Sequence, residues 1–140
     1  MKGKRVLFAS LLLLACTFMI GLAFAKEDYD FEVESKNVKA SVWGRVSYTD
    51  NSSPLPWVED VVDYNIHLIG SDSDLITVDN QACLYMEAYK GKTFVESKEV
   101  YVCDQRLSVN NKTWKFADKA TELRIKITID ETVEKKTLRD

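Results

Sequence analysis

Glu122-Leu123-Arg124-Ile125-Lys126-Ile127-Thr128-Ile129 sets an aliphatic side chain at every second position, with a charged or hydroxyl side chain between each pair. A period of two is that of a β-strand with one buried face; a helix would put Leu123 and Lys126 on the same side. The pattern recurs upstream. Val38, Ala40, Val42, Gly44, Val46 and Tyr48 alternate with Lys39, Ser41, Trp43, Arg45 and Ser47, which places Trp43 on the outer face. Val62, Tyr64, Ile66 and Leu68 alternate with Asp63, Asn65 and His67. Asn51-Ser52-Ser53-Pro54, Gly70-Ser71-Asp72-Ser73-Asp74 and Asn110-Asn111-Lys112 read as turns between strands. About seven short antiparallel strands predict an all-β chain folded as a small β-sandwich, Ig-like or transthyretin-like in general architecture, with a small barrel as the alternative. Residues 131–140 are mostly polar and are expected to form a fraying tail.

Upstream of the first strand the composition changes. Lys2, Lys4 and Arg5 precede an apolar run from Val6 to Ile20, and Ala23-Phe24-Ala25 ends it with small residues at the −3 and −1 positions. That order predicts a secretory signal peptide over residues 1–25 and a single domain over residues 26–140. Two alternatives remain. Val6 to Ala25 is long enough for an uncleaved membrane anchor, and Leu13-Leu14-Ala15-Cys16 is similar to a bacterial lipobox, with lipid attached at Cys16. All three place the domain outside the cytoplasm, extracellular or periplasmic, with no membrane insertion of the mature part.

Removing the leader takes three of the nineteen basic residues and none of the twenty-two acidic ones, so the net charge falls from −3 to −6. An acidic domain without a basic stripe is repelled by phosphate backbones, which argues against nucleic acid as a partner. Two cysteines remain, Cys83 and Cys103. In an oxidising compartment they are expected to form a disulfide. Were they directly facing, the strand pair would align Cys83 with Cys103 and Met86 with Val100, leaving residues 90–96 as a broad loop and setting Glu87 against Glu99. Two cysteines and the single histidine cannot complete a tetrahedral zinc site without carboxylates, so no metal and no cofactor is expected.

Catalytic signatures are sparse. His67 lies on an outer strand face with no nucleophile motif, and five glycines include no phosphate loop. Glu59-Asp60-Asp63 and Asp72-x-Asp74 with Asp79 are the densest carboxylate groups; Asp72-Ser73-Asp74 reads as a solvated turn, with oxygen ligation of calcium as the alternative. No catalytic residue is assigned, and the chain is expected not to be an enzyme. Pro54-Leu55-Pro56-Trp57 holds both prolines and an indole in a loop between two strands, a stiff apolar element suited to contact or to plugging one end of the core. Trp43 is the second contact candidate. The reading is a secreted, non-enzymatic binding or surface-interaction module presenting Pro54, Leu55, Pro56, Trp57 and Trp43 to a protein or glycan. The alternatives are a small inhibitor or antagonist of an extracellular enzyme, and a subunit of a surface assembly. For the last, Tyr29, Phe31 and Val33 alternate with Asp28, Asp30, Glu32 and Glu34 in a segment able to serve as the first strand or as an arm for β-augmentation. Asn51-Ser52-Ser53 and Asn111-Lys112-Thr113 fit the N-glycosylation pattern, both in predicted turns.

Val42-Trp43-Gly44-Arg45-Val46, followed by Pro54-Leu55-Pro56 and Val58, resembles the opening of transthyretin-like and carboxypeptidase-regulatory-like sandwiches. In those families a V-x-G-x-V strand leads through a Pro-containing turn to the next strand. The Gly-aromatic signature that follows their later acidic turn has no counterpart after Asp79-Asn80-Gln81. The resemblance implies a sandwich fold and assigns no function.

Overall fold

The computed structural model describes residues 25–50, 59–70, 81–103, 105–116 and 120–139. Pro54, Leu55, Pro56, Trp57, Asn51, Asp72, Asp74, Asp79, Cys16 and the expected leader apart from Ala25 lie outside them. Eight strands form two antiparallel four-stranded sheets: β1 (Ala25–Glu34), β2 (Ala40–Asp50), β3 (Asp60–Gly70), β4 (Ala82–Lys90), β5 (Thr93–Val102), β6 (Ser108–Phe116), β7 (Glu122–Ile129) and β8 (Thr132–Arg139). The first sheet runs β1-β2-β3-β6 and the second β5-β4-β7-β8. The chain crosses between sheets after β3, β5 and β6, so β6 lies beside β3 and β7 beside β4. These are the neighbours that strands B and E, and C and F, make in immunoglobulin sandwiches.

The alternation places the core as the sequence predicts. Val42, Val46, Tyr48, Val62, Tyr64, Ile66 and Leu68 of the first sheet face Leu84, Met86, Leu123, Ile125, Ile127 and Ile129 of the second, all buried in one cluster. Phe31 and Val33 join it from β1, which pairs with β2 along its whole length as the first strand of its own sheet. Phe31 lies opposite Gly44. A Cβ at Gly44 would run into the Asn65 backbone carbonyl and lie 2.8 Å from the Phe31 ring, so only glycine leaves that ring its place.

At the far end of β2, one buried carboxylate ties the first sheet to the β6–β7 crossover. Asp60 is fully buried, and its Oδ2 accepts from the Tyr48 hydroxyl at 3.2 Å and from the Ala120 backbone N–H at 2.8 Å. The Tyr48 hydroxyl also lies 3.0 Å from the Ala120 carbonyl. Hydrogen bonds of this kind satisfy a buried polar group that would otherwise be costly to desolvate. At the opposite end Asp130, at φ 53°, shapes the β7–β8 turn, and its Oδ2 accepts from the Asn37 amide at 2.7 Å in the β1–β2 connection. Aspartate tolerates that left-handed conformation better than most residues.

Four expectations are corrected. The segment expected to fray is β8, paired with β7 from Ile129↔Thr132 to Glu122↔Arg139 and anchored by fully buried Leu138. Two apolar residues five positions apart, of which only Leu138 is buried, carry little period-two signal, so this edge strand escapes a reading by pattern. The broad loop expected over residues 90–96 is a two-residue turn at Gly91-Lys92 closing Lys90 onto Thr93, with Gly91 at φ 62°. A register shift between Ala88 and Tyr89 then sets Cys83 opposite Tyr101 instead of Cys103. Cys83 and Cys103 are free thiols, and Cys103 bridges to Arg106. This register also sets Glu87 against Ser97, avoiding the Glu87–Glu99 opposition. Finally, the turn predicted at Asn110-Asn111-Lys112 is a bulge within β6, where the pairing shifts between Tyr64↔Lys112 and Ile66↔Val109 and Asn111 adopts φ 44°.

Gly44→Ala should therefore destabilise the protein by at least about 2 kcal/mol in urea unfolding, the upper range for overpacking of a tight core. Phe31→Leu in the Gly44→Ala background should recover part of that loss.

Candidate functional site

The inward faces of both sheets are filled with side chains, so chemistry is confined to the outward faces, the edges and the ends. On the outer face of the first sheet the register aligns cross-strand rows. One runs Glu32, Trp43, His67, Ser108, and the next runs Asp30, Arg45, Asn65. Trp43 keeps 41% of its surface exposed. Its ring stacks on His67 with centroids 4.1 Å apart and planes inclined by 20°. Contact with a directly facing ring holds the indole in one orientation, worth about 0.5–1.5 kcal/mol beyond area burial. Ile69, two residues along β3 from His67 and 56% exposed, lines the same shallow depression with Asp30, Glu32, Arg45 and Asn65.

The polar groups around the indole are held in place. The Arg45 guanidinium meets Asp30 with Nε–Oδ1 at 2.5 Å and Nη2–Oδ2 at 3.1 Å, a forked pair that holds the Asp30 carboxyl below the usual carboxylate range. Both partners are exposed, so the pair fixes geometry more than it adds stability. The Arg45 backbone N–H donates to Asn65 Oδ1 at 3.1 Å. The depression thus joins an aromatic ring and an aliphatic side chain to a carboxylate, a guanidinium and an amide.

The outer face of the second sheet has a different character. The Tyr89 hydroxyl donates to Glu87 at 2.6 Å and the Tyr101 hydroxyl to Glu99 at 2.8 Å. The bond to Glu99 leads in pushing the Tyr101 phenol up to about 12, and the hydroxyls of Tyr89 and Tyr85 hold the Glu87 carboxyl low. The Arg124 guanidinium lies 3.8 Å from the centre of the Tyr89 ring, and Lys126 lies 5.4 Å from that of Tyr85. These rings and hydroxyls have partners within the face.

Of the predicted contact residues, Trp43 stands where expected, and Pro54, Leu55, Pro56 and Trp57 lie outside the described residues. The flanks of their loop, Asp50 and Glu59, sit at the far end of β2 and β3 from Trp43, on the order of 23 Å away at strand rise. His67 is packed against the Trp43 ring. The Glu59-Asp60-Asp63 group is split: Glu59 is exposed, Asp60 is buried, and Asp63 accepts from the Thr113 hydroxyl at 2.7 Å on the outer face. Among the described residues no group of three or more His, Cys, Asp or Glu is placed to hold a metal ion, and no helix is long and apolar enough to cross a membrane. Sequence reading missed the His67 stack and the place of Ile69, because both depend on the β2–β3 register. Comparison with protein-family models, with curated proteins and with solved structures finds no match.

Burial, and after it the Glu99 carboxylate, pushes the Cys83 thiol above its ordinary value, outweighing the opposing effects of the Val100 backbone, the Tyr101 hydroxyl and Lys126. Because the thiolate is the nucleophile, Cys83 should be alkylated by iodoacetamide more slowly in the folded protein than in the urea-unfolded chain at about pH 8. The gap should narrow as pH rises toward the folded value. Peptide mapping of the alkylated cysteines measures both rates.

Proposed function

We propose that this chain is an exported, non-enzymatic binding module that contacts a protein or glycan through the outer face of its first sheet, with Trp43 at the centre. The observation that carries the reading is the exposed indole stacked at 4.1 Å on His67. Trp is the side chain most often found at interface hot spots, and an aromatic ring held in one orientation loses little entropy on contact. Exposed Ile69 extends the apolar surface, and Glu32, Asp30, Arg45 and Asn65 surround it with donors and acceptors. An apolar centre with a polar rim is the anatomy of a recognition surface. The signal-peptide pattern of residues 1–25 supports export, and the sequence Pro54-Leu55-Pro56-Trp57 keeps its reading as a second contact candidate.

Arrays of defined glycans and of purified extracellular proteins, probed in parallel with wild type and Trp43→Ala, test the reading. Binding is expected from the wild type and at least about tenfold weaker from Trp43→Ala, with unfolding stability changed by about 1 kcal/mol or less. Equal binding by both proteins, or none by the wild type, would overturn it.

A further inference from the structure

The sandwich has four edge strands, β1, β5, β6 and β8. Three of them carry features that discourage another strand from adding. On β5, Glu96 and Lys98 stand on the core-side face, opposite Ala88 and Met86. On β8, Glu134 and Lys136 do the same opposite Ile127 and Ile125. β6 has its bulge at Asn111 and sets Lys112 opposite Tyr64. β1 differs. From Asp28 to Glu34 its pairing is regular, with Tyr29, Phe31 and Val33 on the core side and no proline or bulge. β8 reaches β1 without strand pairing: the Arg139 backbone N–H donates to the Glu27 carboxylate at 3.1 Å, and the Tyr29 hydroxyl donates to Glu134 at 2.7 Å. Among the described residues no backbone pairs with the outer side of Asp30 to Glu34.

That edge is strongly marked by charge. Asp28, Asp30, Glu32 and Glu34 all point to the outer face, and of these Asp30 is paired with Arg45. A second β1 adding in antiparallel fashion would set carboxylates against carboxylates, which is destabilising, so this row rejects a symmetric pairing of two copies. The same row favours a strand whose outward side chains are cationic. We propose that the outer edge of β1 accepts an extended peptide segment of a partner protein, basic at alternate positions, as an added antiparallel strand. Backbone hydrogen bonds give such a complex its hold, and the charged row selects the sequence. The site borders the Trp43 patch and shares Asp30 and Glu32 with its rim, but it needs no contact with the indole.

The probes are blocked octapeptides of alternating lysine and threonine, of alternating glutamate and threonine, and the lysine peptide N-methylated at every second residue. In amide NMR of the protein, the lysine peptide should shift β1 resonances between Asp28 and Glu34 and slow exchange at its outer-edge amides by about tenfold at saturation. The glutamate and N-methylated peptides should do neither. Replacing Glu32 and Glu34 together (E32K with E34K) should reverse the preference between the lysine and glutamate peptides, and Trp43→Ala should leave the lysine response intact. Absence of a response to the lysine peptide, or an equal response to its N-methylated form, would overturn the proposal. So would a concentration-dependent dimer in sedimentation whose β1 amides are already protected, since the occupant would then be a second copy.

Discussion

The structure depends on one constraint: each sheet has a face too apolar to leave in water, and the two faces must cover one another. Leu123, Ile125, Ile127 and Ile129 from the second sheet meet Val42, Val46, Val62 and Ile66 from the first in a single cluster. Burial of this kind is the main favourable contribution to folding. It also dictates the parity of every strand, because a slip of one residue would turn the whole aliphatic set outward. What that parity leaves on the outer faces includes Trp43, Ile69, the carboxylates of β1 and the tyrosines of β4 and β5.

Within that constraint, local chemistry decides where strands stop and how they align. Gly91 supplies the left-handed residue of the tight β4–β5 turn, Asp130 shapes the β7–β8 turn, and Asn111 takes the extra residue of the β6 bulge. The β4–β5 hairpin shows how such details govern chemistry. A two-residue turn and one irregularity place Cys83 beside Tyr101 and leave both cysteines as thiols. The charged side chains of β5 and β8 on the core-side face belong to the same level of control: they cost little at an edge and deter unwanted pairing.

The two outer faces have separate characters because their side chains find different partners. On the second sheet, carboxylates accept from tyrosine hydroxyls and cations lie over tyrosine rings, so the groups largely satisfy one another. On the first, the fork between Arg45 and Asp30 and the stack of Trp43 on His67 leave an indole, an isoleucine and a row of carboxylates facing water. That asymmetry is why we propose recognition on the first sheet and at its β1 edge.

Alternation alone was enough to place Val42, Tyr64, Ile66, Leu123 and Ile127 inside, to put Trp43 and His67 on an outer face and to define an all-β sandwich, because period two is written residue by residue along a strand. β8 was hidden, since Leu138 is its one fully buried side chain and its charges answer to neighbours in β7 and β1. The separation of Cys83 from a facing Cys103, the place of Gly44 beneath Phe31, the stacking of Trp43 on His67 and the carboxylate node at Asp60 were decided only by the folded chain. Each depends on which residues of distant strands come to lie opposite one another. A linear pattern specifies the face of each side chain, while turns, bulges and sheet packing choose its partner across the gap.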